Sequence, residues 1–322
     1  MPRIAHSMAV AVLLLGCSSA APCAAPEKRV ALVIGNAAYS GISPLKKPIH
    51  DAQRMADVLR AMKFEVILGT DETKAGMEDM AQKFRAAIKG ADVGFFFYSG
   101  HGFQTNRVDQ QHPVNHLVPV DFKVQEGDVL PATLALDVVV QTVRREARLG
   151  FIFVDACRSD PVLTAASARL ASHTRAVTIT RGFSPVNVET QQISATKKGP
   201  SKGPMGLLIA YATDPGNVAF EGESGDLSPF TGALVKHLPT PGLSAAEIMG
   251  LVSADVALQT KGEQTPWNVS SLTAGTYRFV TAAPQAPTAS SPNKGSASPA
   301  ARPSGGGGSR LPPNGGGVGL GL

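Results

Sequence analysis

The chain has 322 residues, of which 43% are hydrophobic, enough to bury the core of one α/β domain of about 250 residues beside a low-complexity end. Its formal net charge of +5 comes without a dense Lys/Arg run interleaved with aromatic residues, which argues against a nucleic-acid-binding protein. Two of the three cysteines lie near the N-terminus, so a leader cut at or near Cys17 would leave Cys157 alone, without an internal disulfide partner and as a candidate nucleophile.

Residues 1–25 have the features of an export leader. Arg3 provides a positive start, and the apolar run at residues 8–16 is too short to span a bilayer. Two processing routes stay open. In one, the LLGC stretch resembles a bacterial lipoprotein box and Cys17 becomes the lipidated first residue; in the other, an ordinary signal peptide ends at one of the following alanines. The sequence therefore predicts an exported bacterial protein, either periplasmic or extracellular, or a lipoprotein that meets the membrane only through Cys17.

Strands and helices are predicted to alternate after the leader. Continuous apolar runs are typical of strands buried on both faces, and apolar residues at helical spacing indicate amphipathic helices. The predicted strands are Val30–Ile34, Phe64–Leu68, Val93–Tyr98, a short hairpin strand at Leu117–Val120, Phe151–Val154, Leu207–Ala212 and Tyr277–Val280, and the predicted helices are 48–62, 74–89, 133–148, 229–238 and 243–260. This order predicts an α/β domain at residues 29–280 with a mostly parallel sheet and helices on both faces.

Two segments interrupt or follow this pattern. Residues 159–203 lose periodicity and are rich in Ser, Thr, Ala, Arg and Lys, which predicts a long mobile loop. Residues 282–322 are rich in Pro, Gly, Ser and Ala, a composition that cannot bury enough apolar surface to fold, so they are predicted to be disordered.

The ends of two predicted strands carry the residues with catalytic chemistry. One strand runs into YSGHG at 98–102, and another runs into DACR at 155–158. In a parallel sheet the carboxyl ends of the strands form the ligand-binding edge, so His101 and Cys157 are expected to face each other. An imidazole promotes the nucleophilic thiolate and can later protonate the leaving amine. The backbone N–H groups of Gly102 and Cys157 are candidate oxyanion donors.

Plainer interpretations exist for each histidine and cysteine taken alone. His101 could be a turn histidine bound to a backbone carbonyl, and Cys157 a small, inert core residue; their joint placement at neighbouring strand ends favours a catalytic pair. His112 and His116 have a spacing that suits metal ligands on a helix, but Pro113 lies between them and the flanks are strand-like. We therefore predict that these two are surface histidines, and no metal site.

The two strand-end motifs resemble the His and Cys motifs of the caspase-like peptidases, especially the bacterial metacaspase type. The order of the motifs and their separation agree, but Asp155 stands where the caspase pattern has Gln, and Ser159 where it has Gly. The acidic residue is the metacaspase form. Further similar stretches are VIGN at 33–36 with Tyr39, residues 45–52 with Lys47 and His50 in place of the usual Asn residues, residues 115–121, residues 211–216 and residues 228–231.

The resemblance implies a caspase-like sandwich with a six-stranded sheet whose last strand is antiparallel. It also implies a cysteine endopeptidase that acts on protein or peptide substrates through His101 and Cys157. Asp51 and Asp155 match acids that line the first specificity pocket of metacaspases, which implies cleavage after Arg or Lys; alternatively, Asp51 caps a helix and Asp155 holds a strand end. Calcium often assists metacaspases, so calcium activation is left open, and no other cofactor is implied.

Two other points from the resemblance concern activity. Family members can be cut between the Cys strand and the next core strand, so self-cleavage after a basic residue of the 159–203 loop is an expectation. The alternative function is a catalytically silent caspase-like interaction module in the cell envelope, because a fold can keep the shape of a site without its activity. Retention of both His101 and Cys157 favours the enzyme. A redox thiol protein is disfavoured because no resolving cysteine lies near Cys157.

Overall fold

The computed structural model describes residues 26–107, 113–123, 132–157, 177–180, 206–214, 219, 222, 225–272 and 277–282. These residues all belong to one of two compact units, Met1–Ala283, and the other unit, Pro284–Leu322, lies outside the described residues. The predicted leader, the predicted tail beyond residue 282 and most of the predicted 159–203 loop also lie outside them. No described helix is long and apolar enough to cross a membrane.

The described elements alternate along the chain as the periodicity predicted. The strands are β1 (Arg29–Gly35), β2 (Glu65–Thr70), β3 (Ala91–Arg107), β4 (Val114–Leu117), β5 (Leu134–Ala135), β6 (Ala147–Cys157), β7 (Val177–Thr180), β8 (Gly206–Tyr211) and β9 (Trp267–Ser270), and the helices are α1 (Pro48–Ala61), α2 (Lys74–Ala87), α3 (Leu136–Glu146), α4 (Pro229–His237) and α5 (Ala245–Gln259).

A six-stranded sheet in the order β2-β1-β3-β6-β8-β9 forms the centre of the fold. All neighbouring strands in it are parallel except β8 and β9, which are antiparallel. The predicted fold, a mostly parallel sheet whose last strand is antiparallel, is therefore confirmed. Helices cover both faces: α1, α4 and α5 pack on one, and α2 and α3 on the other. This double cover explains why the central strands are almost wholly apolar.

The interior alternates between the two faces along β3. Phe95 and Phe97 belong to the core under α1, α4 and α5, whereas Phe96 and Tyr98 belong to the core under α2 and α3. This alternation follows from the period of two along a strand. Ser99 and His101 lie an even number of residues after Phe95 and Phe97, so they fall on the same α1 side of the sheet, beyond the apolar part of the strand.

Strand β3 is much longer than predicted and joins a second, smaller sheet. Its outer part pairs antiparallel with β4 on one edge and with β7 on the other, and β4 also pairs with β5. The alternative in which His101 is a turn histidine is wrong, because β3 continues through His101 to Arg107. The polar, glycine-containing sequence after Tyr98 hid this extension, since it lacks the apolar run that marks a buried strand.

Two other sequence predictions are corrected. Residues 177–180, inside the predicted mobile loop, form β7, which pairs with an edge of β3 that was not itself predicted. Residues 277–280 do not form the last strand, which is β9 instead. Their backbone carbonyls accept hydrogen bonds from the residues at and before the start of α5 and from the Arg29 guanidinium. The alternating apolar side chains that suggested a strand, Tyr277 and Phe279, pack on the core instead.

Candidate functional site

The sheet register brings the two predicted catalytic residues together. Strands β3 and β6 pair in parallel from Ala91–Ala147 onward, and the last pair in this register is His101 with Cys157. Two residues earlier, Ser99 pairs with Asp155. The backbones of the His and Cys motifs are therefore direct neighbours at the carboxyl edge of the central sheet, where ligands bind in folds of this kind.

Two tyrosines hold the backbone of His101. The Tyr39 hydroxyl accepts a hydrogen bond from the His101 N–H at 2.8 Å, and the Tyr98 hydroxyl donates to the His101 carbonyl at 2.7 Å. A Cβ atom at Gly100 would lie 2.6 Å from both hydroxyl oxygens, so glycine is required there by the close approach of the tyrosines. The Tyr39 ring also packs against the imidazole, with centroids 4.6 Å apart.

The imidazole of His101 is buried, and one of its nitrogens has a defined role. Nε2 lies 2.8 Å from the carbonyl oxygen of Ser43, and a carbonyl oxygen can only accept a hydrogen bond. Nε2 therefore carries the proton of the neutral ring, which makes Nδ1 the basic nitrogen. The position of Ser43, in the loop after β1, was not predicted from the sequence, because backbone carbonyls leave no signature in residue type.

The orientation of the Gly102 N–H follows from the smaller sheet. The Val118 N–H donates to the His101 carbonyl at 3.1 Å. Because the C=O and N–H of a trans peptide point in opposite directions, the Gly102 N–H points away from Val118. It also points away from β4, since Gly102 and Leu117 form a non-hydrogen-bonded pair of the antiparallel ladder. The Gly102 N–H is thus directed away from β4 and from Val118, whose own N–H binds the His101 carbonyl.

Asp51 and Asp155 are both buried and are joined by one residue, Ser228. The Ser228 N–H donates to Asp51 Oδ1 at 2.9 Å, and its hydroxyl donates to Asp155 Oδ2. Ser99 donates to Asp51 Oδ2 at 2.9 Å, and Thr231 donates to Asp155 Oδ2 at 2.6 Å. Elements distant in sequence therefore converge on this carboxylate pair.

Ser99, Ser228 and Thr231 were not predicted as members of the site. A signal was present for Ser228, which caps α4 by accepting from the Thr231 N–H, with Pro229 at the first helical position. The Ser-Pro pair indicates the start of the helix, but it does not reveal the second task of Ser228, which is to donate to two acids. The capping alternative for Asp51 is not supported by its contacts, because both of its carboxylate oxygens bind groups outside α1.

Burial changes the proton affinity of this pair. Loss of solvent raises the pKa of Asp51 to about 8, and the negative charge of Asp155 adds to the rise. Hydrogen bonds from Ser228 and Ser99 and the positive charge of Lys47 act in the opposite direction. Since like charges in a low-dielectric setting resist joint ionisation, the pair retains a proton near neutral pH.

His116 is corrected from a surface residue to a buried one. It is stacked on Phe103, and its ring nitrogens lie within hydrogen-bonding distance of the Thr105 and Thr133 hydroxyls. Burial lowers its pKa to about 4, so the ring is neutral at physiological pH. His112 lies outside the described residues, as does Cys17. Within the described part of the chain, no group of three or more His, Cys, Asp or Glu side chains could hold a metal ion.

Comparisons with known proteins identify relatives of the whole domain. Residues 28–277 match the family described as Caspase domain. Among solved structures, protein GSU0716 from Geobacter sulfurreducens has a TM-score of 0.53 at 19% identity and covers 79% of this chain and 99% of its own. Caspase-1 from Spodoptera frugiperda has a TM-score of 0.51 at 14% identity and covers 80% and 93% respectively. At these identities the structural similarity concerns the fold.

Two curated proteins are similar over a shorter stretch. Mucosa-associated lymphoid tissue lymphoma translocation protein 1 of Homo sapiens and its Mus musculus homolog are each 32% identical to this chain over 78 residues. That stretch is 24% of this chain, and 10% of the human and 9% of the mouse protein. The match thus spans about a tenth of the length of these relatives.

Proposed function

Because the chain belongs to the caspase-domain family, we propose that it is a cysteine endopeptidase in which His101 and Cys157 form the catalytic dyad. The family implies a cysteine peptidase with protein substrates. The observation that carries the dyad is the parallel register that pairs the backbone of His101 with that of Cys157. The bond from Nε2 to the Ser43 carbonyl supports it further, because it leaves Nδ1 as the proton acceptor.

The proposed reaction uses these groups in sequence. Nδ1 of His101 takes the thiol proton, and the Cys157 thiolate attacks the carbonyl carbon of the scissile peptide bond. The N–H groups of Gly102 and Cys157 donate to the oxyanion that forms. The imidazolium then gives its proton to the leaving amine, and water hydrolyses the remaining thioester. The assignment of Gly102 and Cys157 as oxyanion donors rests on the family resemblance, since the parallel register directs the Gly102 N–H towards β6.

We propose that cleavage follows Arg or Lys. The buried carboxylates of Asp51 and Asp155 lie near the carboxyl edge of the sheet and are joined through Ser228. A substrate guanidinium or ammonium would be attracted to them, while a substrate carboxylate would be repelled. A guanidinium can also form paired hydrogen bonds with a carboxylate. The shared contact of both acids with Ser228 supports a single pocket.

The test is peptide cleavage by the purified chain and its variants. Cys157→Ala is expected to abolish cleavage of a fluorogenic Arg peptide, and His101→Ala to slow it by about 10²- to 10⁴-fold. The control is His237→Ala, which removes a histidine whose ring pairs with Asp255 on the helical layer and should leave cleavage unchanged. Full activity of Cys157→Ala would reject the dyad, and faster cleavage after Asp than after Arg would reject the pocket assignment. A wild type without any cleavage would favour the silent interaction module.

Export is a separate proposal that rests on the leader sequence. The mature protein is expected to lack residues 1–16, and Cys17→Ala is expected to lose membrane association if Cys17 carries a lipid. Mass spectrometry of protein from the native host identifies the N-terminus and any lipid, and membrane fractionation of the variant measures its association. An intact N-terminus on the mature protein would reject export.

A further inference from the structure

A buried lysine lies beside the carboxylate pair. Lys47 directly precedes α1 and is only 9% exposed. Its ammonium donates to the carbonyl oxygens of Gly222, at 3.0 Å, and Leu227, at 3.2 Å. Removing an ammonium from water is costly unless it is paired and hydrogen-bonded, so a cation in this position requires compensating partners.

The two carbonyl contacts connect Lys47 to the acids through the backbone. Leu227 immediately precedes Ser228, the residue whose N–H and hydroxyl bind Asp51 and Asp155. At Gly222 an added Cβ would lie 3.4 Å from the Lys47 ammonium and 3.2 Å from Pro229 Cδ, so this part of the chain is packed closely around the lysine. By binding the Leu227 carbonyl, Lys47 thus holds in place the backbone next to Ser228, which connects the two acids.

Lys47 also acts on the acids by its charge. Its positive charge lowers the pKa of Asp51, against burial and the charge of Asp155. His101 lies on the same strand as Ser99. The other charged or titratable groups near this region line a groove beside Ser228, and they are His50, Arg54 and Asp57 on α1 and Asp226. In the sequence, Lys47 stands where the resembling family pattern has Asn, so the pattern itself does not supply this charge.

We propose that Lys47 is a positioning residue that makes the Asp51–Asp155 pocket competent for a cationic substrate side chain. This inference rests on the proposed function, because it deepens the assignment of the same pocket. With both acids ionised, the ammonium leaves the three groups with one net negative charge, which matches a single Arg or Lys side chain. Without the ammonium, ionisation of the second of the two carboxyl groups is less favourable, and the Leu227 carbonyl loses its hydrogen bond from Lys47.

The experiment compares Lys47→Met with Lys47→Arg in the full chain. Lys47→Met is close in volume but has neither charge nor donor, whereas Lys47→Arg keeps both. For an Arg peptide at neutral pH, Lys47→Met is expected to raise KM about tenfold, which corresponds to about 1.4 kcal/mol, with a smaller change in kcat. The rising limb of kcat/KM against pH should move to higher pH, because the acids ionise later. Lys47→Arg should retain a KM and a pH profile near those of the wild type.

A second measurement separates the pocket from the dyad. The rate at which iodoacetamide alkylates Cys157 reports on the thiol and His101, so its pH profile should be the same in Lys47→Met and the wild type. If Lys47→Met does not fold, Lys47→Gln serves in its place, since its amide can still donate to a carbonyl but carries no charge, and the same shift is expected.

The outcomes are distinguishable from failure of the proposed function. Wild-type cleavage after Arg that depends on Cys157, together with an unchanged KM and pH profile in the uncharged variant, would overturn the role of Lys47 alone. An equal loss of alkylation and cleavage would also overturn it, since Lys47 would then support the whole fold. Absence of Cys157-dependent cleavage after Arg in the wild type would overturn both proposals.

Discussion

The His101 half of the candidate site and the Asp51–Asp155 half lie at the same sheet edge but are held by different kinds of contact. His101 is fixed mainly through its backbone, by the register with Cys157 and by two tyrosine hydroxyls. The two acids are fixed through their side chains, by hydroxyl and N–H donors from β3 and the start of α4. The His101 half is therefore held mainly by backbone contacts, and the acid half by side-chain hydrogen bonds that link α1, β3, β6 and the start of α4.

The difference affects how each half responds to a change. A strand pair is supported by many backbone hydrogen bonds, so loss of one side-chain contact near His101 should alter its orientation and little else. A buried polar network depends on every member, because an unsatisfied group in a low-dielectric interior is costly. The acid half should therefore be more sensitive to charge, to pH and to the loss of a single donor, and it should govern substrate binding rather than bond cleavage.

The largest expected effect is on substrate choice, through Asp155→Asn. This change keeps the size of the side chain but removes a buried charge, and loss of one partner of a buried charged contact costs about 2–5 kcal/mol. We expect kcat/KM for an Arg peptide to fall about 100-fold, which corresponds to about 2.7 kcal/mol, mainly through KM, as measured by steady-state cleavage. Alkylation of Cys157 by iodoacetamide should be nearly unchanged.

The matched control for this prediction is Asp57→Asn. Asp57 lies on the exposed side of α1, where it pairs with Arg60 at the rim of the groove beside Ser228. Its neutralisation therefore removes one exposed negative charge but changes neither buried acid. Equal losses in Asp155→Asn and Asp57→Asn would mean that general surface charge, and not the pocket, attracts the substrate.

A smaller effect with the opposite kinetic pattern is expected from Tyr39→Phe. The change removes the hydroxyl that accepts from the His101 N–H but keeps the ring that packs on the imidazole. A single hydrogen bond is worth about 1 kcal/mol, so kcat should fall about five- to tenfold while KM stays close to that of the wild type. Alkylation of Cys157 should slow in proportion, because the imidazole that promotes the thiolate is less well placed.

Tyr277→Phe is the control for the loss of a tyrosine hydroxyl. Its hydroxyl lies 3.4 Å from Glu27, just before the start of β1 and thus at the amino edge of the sheet, so activity should not change. A Tyr39→Phe variant that raised KM and left kcat intact would contradict the division of the site into an orienting half and a binding half.

The sequence predicted the His half of the site better than the acid half, and the reason is physical. Apolar runs located β3 and β6 and thereby placed His101 and Cys157 at one edge, since parallel strands align their carboxyl ends. Asp51 and Asp155 were identified only through a resemblance. Their donors were missed because Ser and Thr occur widely, and which hydroxyl meets which carboxylate depends on how the segment before α4 folds over the sheet.

The fold shows the same limit. The mostly parallel direction of the central strands follows from the alternation of strands and helices, but the extension of β3 does not, because its outer part is polar. His116 illustrates the reverse case: its polarity suggested the surface, yet it is buried between two threonines and stacked on Phe103. Burial of a polar side chain depends on partners supplied by other strands, and a sequence pattern does not reveal those partners.

The smallest expected effect concerns stability and separates the two halves without any substrate. Because burial raises the pKa of Asp51 to about 8, from an ordinary value of about 4, the folded protein binds more protons than the unfolded chain between these two pH values. The free energy of unfolding must therefore decrease as the pH rises from about 4 to about 8. The pocket thus reduces stability at the pH at which it would bind a cation.

Asp51→Asn should remove most of this slope. The amide oxygen of the new side chain can still accept from the Ser228 N–H, but the amide does not titrate, and Asp155 loses the repulsion of its neighbour. Thermal unfolding followed by circular dichroism should show a melting temperature above that of the wild type near pH 8, with each kcal/mol of recovered stability corresponding to roughly 2–4 °C in a domain of this size. Near pH 4 the two proteins should melt together, and Asp57→Asn should follow the wild type throughout. A slope that persists in Asp51→Asn would mean that the pH dependence arises outside the acid half, because the substitution removes the one titrating group to which the slope is assigned.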